Sequence, residues 1–417
     1  MNSKGKKVFV TFYPVCEDVH LTKDVGMIPY ILHRDFGYDS YLMCYRNGDY
    51  SQLETDVPGL KIIFLQHNVP FLERLSERFG SKSSLFGSLR LFSTIIDAAI
   101  SLKKHGAEID ALQVYHLNLE SILMGLVFRI INRKGILYMK LDLDSYSLGF
   151  YRDYPAGIIS ALSPRRLLFL LASFDIISAE TIEVYSALKN TSSYFRNNRD
   201  RIFLIPNGVD AQRLSPMLRP FRSKENKIIH VGRMGSRQKA SELVLEAFSD
   251  ISADFPDWKL TLVGPMDSSF SSLLDDLKIK NPLVSERISY QGFIKRDLLY
   301  KCYSEAKVMM VPSRYESFGL VAVEAGIFGN VILGSDIPPF RELTDNGRLG
   351  YLCPVDSIGC LTKRLRYILS NSAELETKSG LISEHIMKNY NWSDICGKLN
   401  RLILLSLGEN GTDLRKT

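Results

Sequence analysis

Short apolar runs alternate with helix-length segments along almost the whole chain of 417 residues, and this alternation limits the fold more than any other feature. Short runs that are apolar throughout indicate parallel strands buried on both faces, with the intervening segments as helices that cover the sheet. The predicted strands are 7–13, 38–45, 61–65, 111–116, 136–142, 175–179 and 201–205, followed by 227–232, 258–264, 286–291, 307–311 and 330–335. The pattern predicts an α/β protein with doubly wound sheets.

The domain organisation follows from where the strand pattern restarts. A polar, proline-bearing stretch, 206–226, separates the two series of strands and is typical of a linker. We therefore predict an N-terminal Rossmann-like domain over 1–205 and a C-terminal Rossmann-like domain over 227–390. Residues 391–407 are predicted to form a closing helix that returns to the N-terminal domain, and 408–417 a flexible tail. Ligands of such sheets bind at the carboxyl ends of the strands, so the expected site is a cleft between the domains.

Composition and charge argue against two classes of protein. The net charge is +6, but no tail concentrates it, as a nucleic-acid-binding protein would more often do. No apolar run approaches the roughly 20 residues that a membrane-spanning helix needs. The opening residues are interpreted as a buried strand, not a signal peptide. A mildly basic enzyme that handles an anionic small molecule fits these values.

The six cysteines stand at positions 16, 44, 302, 353, 360 and 396, with no C-x-x-C pair and no histidines at metal-ligand spacing. This scatter is typical of reduced thiols in a cytosolic protein, which is the prediction. Asp142 and Asp144, in the stretch LDLD, share one face of a strand end and could hold a divalent cation. An acceptor contact or a capping role is the alternative.

The stretch ESFGLVAVE, 316–324, places a carboxylate at each end of an apolar segment that follows a strand. Its helical spacing predicts a helix N-terminus between Glu316 and Glu324, where free N–H groups and the helix dipole favour phosphate. Carboxylates beside a phosphate should bind neutral hydroxyls, and a nucleotide sugar has hydroxyls on both sides of its diphosphate. The predicted amide donors are those of Ser317, Phe318, Gly319 and Leu320.

This stretch resembles the E-x7-E motif of the retaining glycosyltransferases of the GT-B fold, family 4 in particular. Further segments resemble the same family in the same order: IPNGVD (205–210), HVGRMGSRQKASELVLEAF (230–248), LTLVGP (260–265), the run 290–336 and a late tryptophan, Trp392. The N-terminal half matches more loosely. The resemblance implies the GT-B fold, in which two tandem Rossmann-like domains face an interdomain cleft.

The resemblance also implies roles for matching positions of the second half. Arg233 and Lys239 would neutralise the donor diphosphate, although a lone arginine or lysine is more often a solvated surface charge. Glu316 would accept hydrogen bonds from the transferred sugar, and Glu324 from the ribose hydroxyls. The main chain around Ile294 would border the base.

In the first half, the resemblance places His116, at the end of a predicted strand, beside the transferred sugar; a structural histidine is the alternative. Enzymes of this fold generally need no metal, so no metal site and no cofactor are predicted. The nucleotide sugar, with UDP as the expected nucleotide, is a substrate.

The implied function is a retaining transfer of a hexose-type sugar to a hydroxyl of a glycan or lipid-linked acceptor, as in surface polysaccharide synthesis. One alternative is a non-catalytic nucleotide-sugar-binding subunit of a partner transferase, and another is an epimerase of the same fold. No nucleic acid is expected as a partner. Two segments, 71–105 and 164–174, combine basic and apolar residues, and they are interpreted either as core helices or as a peripheral contact with anionic membrane. The expected location is cytoplasmic, at the inner face of the membrane in the second case.

Overall fold

The computed structural model describes residues 5–71, 74, 84–144, 173–190 and 196–409. The chain divides into two compact units. The first unit comprises Met1–Pro206 together with Trp392–Thr417, and the second comprises Asn207–Asn391.

A seven-stranded sheet forms the centre of the first unit, in the order β3-β2-β1-β4-β5-β6-β7. All of its neighbouring strands are parallel. The strands are β1 (Val8–Phe12), β2 (Asp39–Cys44), β3 (Lys61–Phe64), β4 (Ala111–Tyr115), β5 (Ile136–Leu141), β6 (Ile176–Ala179) and β7 (Ile202–Leu204). Each lies within a predicted strand, so the predicted α/β class is confirmed for this unit.

The helices that cover this sheet are α1 (Asp18–Leu21), α2 (Asp24–Phe36), α3 (Leu53–Asp56), α4 (Ser84–His105), α5 (Leu119–Ile131) and α6 (Ile182–Asn190), with short 3-10 helices at Gly106–Glu108 and Arg196–Arg201. Side chains alternate across the sheet, so the core has two layers. Val10 and Leu112 belong to one layer, whereas Phe9 and Ala111 belong to the other, which also contains Trp392.

The second unit has a six-stranded parallel sheet in the order β10-β9-β8-β11-β12-β13. The strands are β8 (Lys227–Val231), β9 (Lys259–Val263), β10 (Ile288–Tyr290), β11 (Val308–Val311), β12 (Val331–Ser335) and β13 (Tyr351–Cys353). Five of the six were predicted. Strand β13 was not predicted, because its three residues between Gly350 and Pro354 are too few to show a pattern.

The helices of this unit are α7 (Ala211–Leu214), α8 (Ser241–Ile251), α9 (Ser268–Lys280), α10 (Pro282–Ser285), α11 (Arg296–Glu305), α12 (Leu320–Ile327), α13 (Pro338–Leu343), α14 (Ile358–Ser370) and α15 (Ser372–Asn389). Two 3-10 helices, Ser215–Met217 and Phe221–Ser223, lie in the predicted linker, which belongs to the second unit. The last helix, α16 (Trp392–Ser406), packs on α2 in the first unit. There the ring of Phe36 lies next to Gly397.

The prediction of reduced thiols is wrong for two of the six cysteines. Cys353 ends β13 and Cys360 lies in the first turn of α14, and they form a disulfide with their Cα atoms 5.7 Å apart. The turn between the strand and the helix brings the two cysteines together. Their spacing is not the C-x-x-C pattern, so the sequence did not indicate a disulfide. The free cysteines are Cys16, Cys44, Cys302 and Cys396.

Within the described ranges, no helix is both long and apolar enough to cross a membrane. The segment 164–174, interpreted either as a core helix or as a membrane contact, lies outside the described residues, as does much of 72–83.

Candidate donor-binding site

The carboxyl edge of the second sheet is built from loops that approach each other closely. Gly232 follows β8 and Gly264 follows β9. Gly264 has a positive φ of 126°, and a Cβ on it would lie 1.9 Å from the carbonyl oxygen of Gly232. Only glycine fits this contact, because any side chain would meet backbone. The loop that starts at Gly232 is therefore fixed against the neighbouring strand end.

Two residues predicted to serve the donor contact each other at this edge. The Nζ of Lys239 lies 2.5 Å from Oε1 of Glu316. The side chains are 14% and 7% exposed, so most of this ion pair is shielded from water. A shielded pair is screened less by salt than a surface pair, and each charge depends on the other for compensation.

Gln238 connects this ion pair to Arg233. Its Nε2 donates to Oε2 of Glu316 at 3.3 Å and to the carbonyl oxygen of Tyr315 at 3.1 Å. Its Oε1 accepts from Nη2 of Arg233 at 2.8 Å. Arg233, Lys239 and Glu316 thus belong to one hydrogen-bonded group, in which Gln238 was not foreseen.

Arg314 holds the same loop in place. Its backbone amide donates to the carbonyl oxygen of Gln238 at 2.8 Å, and its Nη1 donates to that of Arg237 at 2.7 Å. Its guanidinium also pairs with Glu242 at 2.7 Å and with Asp356 at 2.6 Å. Arg314 was not predicted as a site residue, because its partners lie 42 to 77 residues away along the chain.

The segment between β11 and α12 contains the start of the helix. Helix α12 begins at Leu320, with Gly319 as its N-cap at a φ of 85°. A Cβ on Gly319 would lie 2.7 Å from the ring of Phe340, so glycine is required here for two reasons. Ser317 and Phe318 precede the helix, so Glu316 lies in the loop before α12 and Glu324 lies within the helix.

The predicted amide donors nevertheless remain free to bind a ligand. Among the described residues, none accepts a hydrogen bond from the amides of Ser317, Phe318, Gly319 or Leu320. These four consecutive N–H groups stand at the N-terminal end of α12, where the helix dipole adds partial positive charge. Such an end binds anions readily.

Glu324 lies in α12 and is 7% exposed. Its Oε1 forms an ion pair with Nη2 of Arg296, the first residue of α11. Its Oε2 accepts from the hydroxyl of Tyr303 at 3.4 Å, a weak contact. Arg296 was not predicted as a partner of Glu324.

Ile294 lies in the loop between β10 and α11, two residues before Arg296. The groove of about 490 Å³ that it lines extends to Lys227 and Lys259, at the amino ends of β8 and β9, and is therefore not confined to the donor edge. The segment that the resemblance places beside the base is therefore next to the residue that holds Glu324.

In the first unit, His116 directly follows β4 and has a φ of 62°. A positive φ is strained for a residue with a side chain, and such residues cluster at functional sites. Its amide donates to the carbonyl oxygen of Lys140 at 2.9 Å. Its ring packs against those of Tyr13 and Tyr115, with centroids 6.5 and 6.2 Å away.

A buried group of charges lies beside His116 and was not foreseen. The Nζ of Lys140, which is fully buried, lies 2.8 Å from Glu180 and 3.8 Å from Asp24. Burial raises the pKa of Glu180 to about 8, and it also raises the pKa of Asp24, although Lys140 opposes both shifts. Burial thus disfavours the charged form of both carboxyl groups, and the nearby Lys140 ammonium compensates for part of this cost.

Most of the second unit is similar to known glycosyltransferases. Residues 218–383 match the family model described as glycosyl transferases group 1. A phosphatidyl-myo-inositol mannosyltransferase of Mycobacterium tuberculosis is 26% identical over 205 residues, which are 48% of this chain and 52% of that protein. The chain thus matches about half the length of this curated relative.

Solved structures match over almost the whole chain. A glycosyltransferase from Rickettsia africae aligns with a TM-score of 0.70 and 15% identity, covering 97% of this chain and 100% of that one. The Anabaena protein HepE in complex with UDP and glucose aligns with a TM-score of 0.63 and 13% identity, covering 95% and 98%. At these identities the likeness shows the fold alone.

These findings define the class: the chain has the GT-B fold of glycosyltransferases, and the resemblance seen in the sequence is confirmed. More narrowly, residues 218–383 of the second unit are similar to the glycosyl transferases group 1 family.

Proposed function

We propose that the protein is a retaining glycosyltransferase that moves a hexose-type sugar from a nucleoside diphosphate donor to a hydroxyl of a glycan or lipid-linked acceptor. The observation that carries the proposal is the pair of cations, Arg233 and Lys239, joined through Gln238 and Glu316 beside four unused amides of the 317–320 segment. This arrangement offers two positive charges and a row of N–H donors to one anion.

The chemistry follows from where charge develops. When the anomeric C–O bond breaks, negative charge grows on the departing diphosphate. That charge is stabilised by Arg233, Lys239 and the 317–320 amides, which are already in place before the bond breaks. Such preorganised electrostatic stabilisation is usually the largest single contribution to catalysis. Glu316 positions the sugar through the carboxylate lone pairs that Lys239 and Gln238 leave open. The acceptor hydroxyl oxygen attacks the anomeric carbon on the face that the diphosphate leaves, so the new C–O bond forms as the old one breaks. The departing phosphate accepts the hydroxyl proton, and this front-face attack retains the configuration without a protein nucleophile.

His116 belongs to the first unit, and the resemblance places it beside the transferred sugar. His116 directly follows β4 with a positive φ, and its ring packs against those of Tyr13 and Tyr115. We assign His116 a positioning role on the sugar.

UDP is the first nucleotide to test, since the solved structure of HepE contains UDP and glucose. The decisive experiment incubates purified protein with a panel of sugar nucleotides and measures nucleotide release with and without glycan acceptors. Release that increases with acceptor, and a product with the donor's anomeric configuration, support the proposal. Binding without release or transfer would favour the alternative, a non-catalytic nucleotide-sugar-binding subunit.

Metal independence gives a further prediction. Within the described ranges, no three His, Cys, Asp or Glu side chains are grouped as a metal site requires. Chelator should leave most of the transferase activity intact, because enzymes of the fold that this chain resembles generally need no metal. Asp142→Ala should change acceptor use or folding instead, because Asp142 is exposed next to the charged group of Asp24 and Glu180. Activity that vanishes with chelator and returns with Mn²⁺ would refute this prediction.

Contact with an anionic membrane is proposed for helix α4. Phe92, Ile96 and Ile100 stand one turn apart on its exposed side and are 59%, 37% and 49% exposed. Arg90, Lys103 and Lys104 are exposed on the same helix. Its only acid, Asp97, is buried and accepts hydrogen bonds from Tyr45 and Asn68. The exposed charge of α4 is therefore entirely positive, which suits anionic lipid.

We expect the protein to sediment with anionic vesicles at low salt and to be released at high salt, because exposed charges are screened. Lys103→Glu combined with Lys104→Glu should weaken this binding about tenfold or more, since each basic residue near anionic lipid contributes about 1 kcal/mol. The matched control reverses two exposed lysines of α9, Lys278 and Lys280, and should bind as the unaltered protein does. Equal sedimentation with neutral and anionic vesicles would rule the contact out.

A further inference from the structure

Arg296 on helix α11 contacts Glu324, and no role has yet been assigned to this arginine. Arg296, the first residue of α11, forms an ion pair with Oε1 of Glu324. The arginine side chain is 20% exposed and the carboxylate 9% exposed, so the pair is largely shielded from water. Because a guanidinium is planar and always charged, it fixes the plane of the carboxylate it binds.

The Arg296 side chain packs against an aromatic cluster. Its Nε donates to the hydroxyl of Tyr300, one turn further along α11, and its guanidinium lies 5.4 Å from the centre of the Tyr300 ring. Tyr300 and Tyr303 pack against Phe328, with ring centroids 5.8 and 6.0 Å away. All three rings are buried, so Arg296 has little freedom to move.

The second oxygen of Glu324 is held much less firmly. Its Oε2 has the hydroxyl of Tyr303 at 3.4 Å, a long and weak hydrogen bond. The carboxylate thus has one oxygen occupied by a strong donor and one with open acceptor capacity. An oxygen with a fixed direction and open lone pairs binds a neutral hydroxyl well.

We propose that Arg296 is the positioning residue that makes donor binding selective for a ribose, because it orients Glu324 towards the ribose hydroxyls. The inference rests on the proposed function, in which Glu324 binds the ribose. It adds a residue on a different helix, directly after the loop of Ile294 that borders the base. Arg296 acts through Glu324 and does not itself contact the nucleotide.

The test measures binding of UDP and of its 2′-deoxy and 3′-deoxy forms by calorimetry, so it needs no turnover. Unaltered protein should bind UDP roughly ten- to a hundredfold more tightly than at least one deoxy form, the value of a hydrogen bond to a charged group. In Arg296→Gln this ratio should fall to about threefold or less. Arg296→Lys keeps the charge without the planar fork and should show an intermediate ratio.

A matched control separates positioning from a general loss of charge. Arg222 of the same unit pairs with Glu376 on the surface, and Arg222→Gln should keep the ratio unchanged. Circular dichroism and a thermal melt show whether each variant is folded, and Arg296→Lys keeps the test informative if Arg296→Gln is not. An unchanged ratio with uniformly weaker binding of all three nucleotides would overturn the inference and place Arg296 in direct contact with the nucleotide. If the unaltered protein binds no nucleoside diphosphate, the proposed function itself fails, which is a distinct outcome.

Discussion

Lys239→Ala is expected to lower kcat of sugar transfer by about 10²–10³-fold, the effect of removing one group that stabilises charge on a leaving oxygen. The charge on the diphosphate is largest in the transition state, so kcat should fall more than the donor KM rises. Steady-state kinetics with saturating acceptor measure both constants. An unchanged kcat would show that Lys239 only neutralises Glu316.

The ion pair between Lys239 and Glu316 leads to a second expectation, for the double variant. Lys239 and Glu316 form one shielded ion pair, so removal of either residue leaves the other charge uncompensated. The effects of Lys239→Ala and Glu316→Ala should therefore not add in the double variant. The matched control is Lys227→Ala, which breaks a similarly shielded pair with Glu305 at the opposite end of β8. It should lower stability in a thermal melt while leaving kcat of the folded protein nearly unchanged.

The strands could be predicted from the sequence because each is a short apolar run between helical segments. Twelve such runs became strands of two parallel sheets, and the exception, β13, has only three residues. Its position beside β12 depends on the turn after Thr344, and no local pattern reveals that. The disulfide that follows β13 was missed for the same reason, since it depends on how α14 folds back on the strand.

The candidate site could be predicted only as far as individual residues. Spacing and resemblance selected Arg233, Lys239, Glu316 and Glu324, but not the partners that hold them. Gln238 was missed because it contacts Glu316 across 78 residues of sequence, and Arg296 because it meets Glu324 from another helix. These contacts arise from the packing of loops at one sheet edge.

The buried charges of the first unit show the same limit. Lys140 lies within an apolar strand, where the sequence gives no reason to expect an ion pair. Its partners, Glu180 and Asp24, come from the end of β6 and the start of α2. Parallel strands bring their carboxyl ends to one edge, so this clustering follows from the sheet order and not from any motif.

Alanine substitutions of the two glutamates of the E-x7-E stretch are expected to impair sugar transfer in two different ways. Glu324→Ala removes contacts to a part of the donor that does not change during reaction, so it should raise the donor KM with little change in kcat. One or two hydrogen bonds to a charged group are worth about 1.5–3 kcal/mol each, or roughly ten- to a hundredfold in KM. Nucleotide binding without sugar should weaken by a similar factor.

Glu316→Ala should instead lower kcat more than it raises KM, because Glu316 acts where the sugar flattens and moves as the bond breaks. The variant also leaves the largely shielded Lys239 without its carboxylate, so part of the effect arises from a displaced lysine. Glu316→Gln separates the two causes, since the amide keeps an oxygen for the sugar hydroxyl but removes the ion pair. A thermal melt of each variant measures the stability change independently of the kinetics. The assignment of roles is wrong if Glu316→Ala keeps a near-normal kcat while Glu324→Ala abolishes turnover with donor binding unchanged.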